Sequence, residues 1–223
     1  MATTIGMAHR EGTAGPIADA AATYTSTSTD RTAIALVDGM GHSADIVRLA
    51  PMLAETAARI GAVRGALAGL LSAGALMHDP GPDAAGVLVV TREDGTAELV
   101  WAGDCRAYRW DGELHQLTTD HTLAAYLTRA AKEEVPVAAL ADFVGVTLRR
   151  ALPATVPYVS APAGGLLILT TDGVHDQAAP AVIEALVRKH ESAPQALADA
   201  LVTAACPDAA GYRDDATTVV ISY

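Results

Sequence analysis

Six aspartates fall where a folded chain would turn. Asp38 and Asp172 each close an apolar run and each precede a glycine, and Asp104 lies in Gly103-Asp104-Cys105-Arg106. Asp214 and Asp215 stand immediately before the last apolar run, and Asp19 precedes the first. Carboxylates at strand ends can converge on one edge of a sheet, where rigid backbone holds them. Gathered in one cleft they repel one another unless cations neutralise them. An all-oxygen donor set completed by water selects Mg²⁺ or Mn²⁺ over zinc. The glycine after Asp38 permits a tight turn and exposes a carbonyl as a further hard ligand. Asp-Gly is also an ordinary turn former, and any one pair has that reading. The whole set together points to metal.

The chain supplies elements able to position such a cluster. Apolar and β-branched runs predict strands at Ala21–Ser28, Thr32–Val37, Gly86–Arg92, Ala97–Ala102, Arg106–Trp110, Glu113–Leu117, Leu166–Thr171 and Ala216–Ser222. Glu93-Asp94-Gly95 and Asp111-Gly112 join the middle four as hairpins. Helical spacing covers Ser43–Ile60, with Ile46, Leu49, Leu53 and Ala57 on one face. A second helix, Val63–Met77, ends before the breaker run Asp79-Pro80-Gly81-Pro82. Thr122–Glu134, Asp142–Leu152, Ala181–His190 and Pro194–Ala205 also read as helices. Hairpins with helices in blocks fit an α+β layered domain rather than a parallel doubly wound sheet. With 223 residues and no repeat or linker, a single domain over 1–223 is expected.

Composition narrows the function classes. Hydrophobic residues make up 51% and charged residues 18%, which excludes a disordered chain. Aromatics are only 4%, so Ala, Val and Leu must fill the core. A net charge of −11 repels phosphate backbones and anionic lipid, so neither nucleic acid nor a membrane is an expected partner. Cys105 and Cys206 are too few and too far apart for a disulfide framework. Met1–Arg10 lacks the features of a signal peptide. The most apolar stretch, Gly61–Met77, is interrupted by Arg64 and falls short of the roughly 20 residues a bilayer requires. A cytoplasmic protein is the expectation. Walker loop, Gly-x-Ser-x-Gly elbow and His-Glu-x-x-His pair are all missing, which removes the commonest NTPase, serine hydrolase and zinc protease readings.

Read in order, several blocks resemble the metal-dependent, type 2C (PPM) Ser/Thr protein phosphatases of bacterial type. Ala35-Leu-Val-Asp38-Gly-Met-Gly41 is similar to the first metal motif, and Trp101-Ala-Gly-Asp104-Cys-Arg-Ala-Tyr108 to the Gly-Asp-Ser-Arg block. Gln116-Leu-Thr-Thr-Asp120-His121-Thr122 resembles the Leu-Thr-x-Asp-His-Ser stretch. Leu166-Leu-Ile-Leu-Thr-Thr-Asp172-Gly173 and Arg213-Asp214-Asp215-Ala-Thr-Thr-Val-Val resemble the last two metal motifs.

The resemblance implies a four-layer α-β-β-α sandwich of two antiparallel sheets flanked by helices, with a binuclear centre of Mn²⁺ or Mg²⁺ at one edge. By it, Asp38 bridges both ions and the Gly39 carbonyl binds one. Asp172 and Asp214 join Asp38 on the first ion, and Asp104 with Asp172 supports a third, weaker ion. Asp19 stands for the aspartate of the opening motif. The implied reaction is hydrolysis of phosphoserine or phosphothreonine in a phosphorylated protein substrate. A metal-bound hydroxide attacks in line, since bound cations bring the pKa of water from 15.7 toward about 7.

The sequence departs from the family at its start. The family opens with Arg-x-x-Asn-(Glu/Gln)-Asp-Ala, whose arginine clamps phosphate, whereas this chain has Ala14-Gly-Pro-Ile-Ala-Asp19-Ala20. Arg10 or Arg31 is the candidate replacement for phosphate binding. Losing a bidentate fork weakens substrate binding more than it weakens the metal centre. Met40 stands where eukaryotic members carry a histidine, and nearby His42 is a candidate to protonate the leaving group. Arg106 reads as an ion-pair residue, His121 as bonded to strand backbone, and His175 as a surface residue. Asp215 reads as standing behind the ligands. The Asp-x-Asp-x-Thr of aspartyl-nucleophile phosphatases is missing, since 38–42 is Asp-Gly-Met-Gly-His. An active phosphatase is therefore expected; the alternative is a degenerate phosphatase-fold module that binds a phosphoprotein or partner with little or no turnover.

Overall fold

The structure is a computed structural model that describes residues 3–92, 94–131, 140, 143–162 and 164–223. Two antiparallel five-stranded sheets lie face to face. The first has the order β1 (Thr4–Arg10), β10 (Ala216–Ser222), β9 (Leu166–Thr170), β6 (Arg106–Trp110), β7 (Leu114–Gln116). The second runs β2 (Ala20–Ser26), β3 (Arg31–Gly39), β4 (Ala84–Thr91), β5 (Ala97–Ala102), β8 (Tyr158–Ala161). Helices α1 (Ala44–Arg64) and α2 (Ala66–Gly74) cover the second sheet. Helices α5 (Pro180–His190) and α6 (Pro194–Ala204) cover the first. Helix α3 (Leu123–Ala131) and the short α4 (Asp172–His175) lie in connections. This is the α-β-β-α sandwich that the sequence resemblance implied.

The layering follows from period-two alternation in strands that are covered on both faces. Along β3, Ile34 and Leu36 point between the sheets and meet Leu167, Leu169, Val219 and Ile221 of the other sheet. Ala33, Ala35 and Val37 point outward under Leu53, Ala57 and Ala58 of α1. On the far side Ile168 and Val220 meet Ile183, Val187, Leu197 and Leu201. Every residue of β4 and β9 is buried, which is why these strands read as unbroken apolar runs. Burying each such Leu or Ile contributes about 1.5–3 kcal/mol.

Three departures from the sequence reading stand out. β1 and β8 fall in no predicted strand; both are edge strands in which all but one residue is exposed or partly so. The expected helices Ser43–Ile60 and Val63–Met77 are instead split at Gly65, giving a longer α1 and a shorter α2. The helix expected over Asp142–Leu152 does not form over its described residues, which are a bridge and turns. Its backbone donors are used elsewhere: Gly145 N donates to the His121 carbonyl and Leu148 N to the Ala84 carbonyl, both at 2.8 Å. The Asp83 carboxylate accepts from Thr147 Oγ1 at 2.8 Å and from Arg149 N at 3.4 Å. The segment is thereby laid along the start of β4. Of the helix expected over Thr122–Glu134, residues 132–134 lie outside the described residues, as does Glu93 of the first hairpin.

Candidate metal centre

Among the described residues six carboxylates line one cleft of about 720 Å³ at the edge of the sandwich: Asp38, Asp104, Asp120, Asp172, Asp176 and Asp214. Each position follows from a strand end. Asp38 is in the last turn-ward pair of β3, Asp104 is in the β5–β6 connection, Asp172 follows β9 and Asp214 precedes β10. Asp176 lies one helical turn beyond Asp172, so α4 presents both to the same side. Two glycines allow this close assembly. A Cβ on Gly39 would sit 2.5 Å from Ile46 Cγ1 and 2.6 Å from the Ala18 carbonyl oxygen. One on Gly173 would overlap the Asp215 carbonyl oxygen. Gly39 also lines the cleft.

The electrostatics are those of carboxylates crowded beside one guanidinium, Arg106, which Asp120 already engages. Burial holds Asp38 well above the usual carboxylate range, and Asp172, Asp19, Asp104 and Asp214 add repulsion. Asp172 is raised to about 7 by burial, with repulsion from Asp104, Asp214 and Asp176 added; its hydrogen-bond contact with Asp38 opposes the rise. Asp104 is raised to about 6, again first by burial and then by Asp120 and Asp176. A divalent cation would reverse every one of these penalties. Among the described residues no three His, Cys, Asp or Glu side chains are already drawn together tightly enough to hold an ion. The donor chemistry nevertheless fits a hard cation: carboxylate oxygens, the Gly39 carbonyl and room for water.

Asp19 does not line the cleft with the others. It is buried behind it, accepting from Thr171 Oγ1 at 2.9 Å, and burial with repulsion from Asp215 and Asp172 raises it to about 8. Arg10 also lies away from the cleft. Its Nη1 donates to the carbonyls of Val202, Thr203 and Ala205 at 3.1–3.4 Å, at the C-terminal end of α6. That guanidinium is therefore engaged by helix carbonyls, the partners a cation at a helix C-terminus satisfies. His42 does line the cleft, with Nδ1 3.3 Å from the Pro16 carbonyl and 3.6 Å from Asp215 Oδ2.

Arg106 is held by Asp120, whose carboxylate takes Nε at 3.1 Å and Nη2 at 2.7 Å; Asp176 lies 3.6 Å from Nη2. His121 accepts from Gly103 N at 3.2 Å through Nδ1 and stacks on Trp101. Burial lowers its pKa, in keeping with a neutral ring. His175 is not the surface residue expected. It is buried, its Nδ1 is 2.8 Å from Thr170 Oγ1, and burial drives its pKa well down. It faces inward because α4 packs against β9 and β10. Sequence reasoning passed over Asp176 and Tyr212, both of which line the cleft. The i, i+4 spacing of Asp172 and Asp176 was a usable signal for the first; nothing in the sequence marked the second.

No protein-family model and no curated protein matches the chain. Its likeness is to solved structures. A serine/threonine phosphatase of S. agalactiae superposes with a TM-score of 0.82 at 18% identity, covering 99% of both chains. The PPM Ser-Thr phosphatase MsPP of Mycobacterium smegmatis, solved with cacodylate, gives 0.72 at 22% identity over 98% of this chain and 97% of its own. The catalytic domain of the serine/threonine protein phosphatase PstP, solved with two manganese ions, gives 0.69 at 22% identity over 99% of each chain. The chain thus has the two-sheet, four-layer fold of the bacterial PPM Ser/Thr phosphatases.

Proposed function

We propose that this protein is a metal-dependent phosphomonoesterase acting on phosphoserine or phosphothreonine in proteins, with residues 1–223 forming one phosphatase-like unit. The observation that carries the reading is the convergence of Asp38, Asp104, Asp172, Asp176 and Asp214 on one cleft, each of the first three held above its ordinary pKa. Asp38, the Gly39 carbonyl, Asp172 and Asp214 would hold two divalent ions, and Asp104 with Asp172 a third. Such ions supply an activated water and neutralise charge on the transferring phosphoryl group.

The chain's own residues supply orientation and protons. The Pro16 carbonyl can only accept, so it fixes the proton of His42 on Nδ1 and leaves Nε2 as the exchangeable position. Asp215 Oδ2 lies 3.6 Å from the same nitrogen. From Nε2 His42 can hand a proton to the departing alkoxide. Arg106, bound by Asp120, keeps the wall bearing Asp104 and Asp176 in register.

One observation favours the second reading, a phosphoprotein-binding module with little turnover. Ala14 lines the cleft where the resemblance calls for an arginine, and Arg106 is the one guanidinium among the described residues lining it. The deciding experiment is hydrolysis of p-nitrophenyl phosphate and a phosphothreonine peptide by purified protein, with Mn²⁺ and then with EDTA. Mn²⁺-dependent turnover supports the enzyme. Phosphopeptide binding by folded protein without turnover supports the module.

A further inference from the structure

A second cavity, of about 590 Å³, adjoins the carboxylate cleft, and Asp120, Thr122 and Ala125 line both. It opens between the free edges of the two sheets. Leu117, just beyond β7, forms one side and Tyr158 with Val159 of β8 the other, β7 and β8 being the edge strands nearest it. Trp101 lies within it. Among the described residues its lining holds one cation, Arg129, and one carboxylate, Asp120, which Arg106 already occupies. The chemistry on offer is therefore apolar and aromatic.

The placement of the aromatic residues singles this cavity out. The chain has nine: two Trp, six Tyr and one Phe. Four are exposed, namely Tyr126, Phe143, Tyr158 and Tyr212. Three of these line the apolar cavity and the fourth lines the carboxylate cleft. Exposed aromatics cost solubility, and their concentration at one place marks a binding surface rather than chance.

Resting on the phosphatase reading, we infer that this cavity receives a bulky apolar side chain of the phosphorylated substrate, within a few residues of the phosphorylated one, so that the protein selects phosphopeptides flanked by Leu or Phe. The continuity of the two cavities is what commits the occupant. A peptide whose phosphate lies in the carboxylate cleft has a continuous path past the shared wall of Asp120, Thr122 and Ala125. An extended chain advances about 3.3 Å per residue, so the next few side chains enter the aromatic cavity.

The test compares phosphothreonine peptides identical except for Phe or Ser on either side of the phosphorylated residue. Wild type is expected to favour the Phe peptides about tenfold in kcat/KM, the effect of burying one large apolar side chain. Phe143→Ala and Tyr126→Ala, both at exposed positions, should raise KM for the Phe peptides about tenfold. They should leave the Ser peptides and p-nitrophenyl phosphate unchanged. No preference in wild type, or equal losses on every substrate, overturns the inference. If folded, Mn²⁺-loaded protein hydrolyses none of them, the phosphatase reading has failed separately. Fluorescence anisotropy with the same labelled peptides then decides: tighter binding of the Phe peptide by wild type than by Phe143→Ala supports the cavity, and equal binding overturns it. Self-association abolished by Phe143→Ala, with no peptide preference, would assign the surface to a second copy instead and also overturn it.

Discussion

Asp214 and Asp215 are adjacent in the chain and face opposite ways. Asp214 lines the carboxylate cleft. Asp215 is 3% exposed and turns back to accept from Gly12 N and Ala18 N, each at 2.7 Å. With Thr13 N donating to the Arg213 carbonyl at 2.8 Å, it straps the 11–18 segment onto the start of β10. The cleft wall bearing Ala14 is set by that strap.

Asp215→Ala should therefore act on stability. It leaves two amides without their charged acceptor, at a cost of about 2–5 kcal/mol. The midpoint of thermal unfolding should fall by roughly 10 °C. Circular dichroism in EDTA, where no ion contributes, measures it; an unchanged midpoint would show that the strap is dispensable.

Asp172→Asn should separate folding from ion binding. Removing one of several mutually repelling carboxylates leaves the metal-free fold at least as stable at pH 8, because Asp172 is already penalised there by burial and by Asp104 and Asp214. Mn²⁺ is expected to raise the unfolding temperature of the parent but not of this variant, and Mn²⁺-dependent turnover should drop to background. Parent-like turnover in this variant would contradict the ligand assignment.

Arg10→Ala should leave KM for phosphopeptides unchanged, since its guanidinium is bound to the end of α6. It should instead lower stability by about 1–2 kcal/mol through lost charged hydrogen bonds to exposed and half-buried carbonyls. Steady-state kinetics beside a denaturant titration distinguishes the two. A raised KM with unaltered stability would restore Arg10 as the phosphate clamp.

The two thiols should behave differently. Cys206 is exposed, while Cys105 is buried, and burial first, then Asp38 and Asp104, push its thiol well up. The thiolate is the reacting form, so one thiol per chain should react with a disulfide reagent in native protein and two after unfolding. Two fast-reacting thiols in native protein would mean that the Cys105 region opens.

The sequence exposed those features whose cause is local. β3, β4 and β9 were legible because coverage on both faces demands long apolar runs, and β10 by its β-branched Thr-Thr-Val-Val-Ile run. Asp38, Asp104, Asp172 and Asp214 were legible because each interrupts such a run at its end. β1 and β8 were not, since edge strands need no such pattern. The 142–152 segment carries helical spacing, yet Asp83 and the Ala84 carbonyl, some sixty residues away, claim its backbone donors and side chains. Arg10 shows the same limit: its partners are about 190 residues distant, and no spacing rule reaches them.

The central placement of β10 has a consequence for synthesis on the ribosome. β10 lies between β1 and β9, so β1 has no ladder partner until β10 is made, while β9 can pair only with β6 before then. Asp215, the anchor of the 11–18 segment, also emerges just before that strand. A nascent chain shorter than about residue 216 can pair β2 through β5 but must keep β1 exposed. Until then the acidic cleft is incomplete, and the unpaired β1 is the segment for a chaperone to shield.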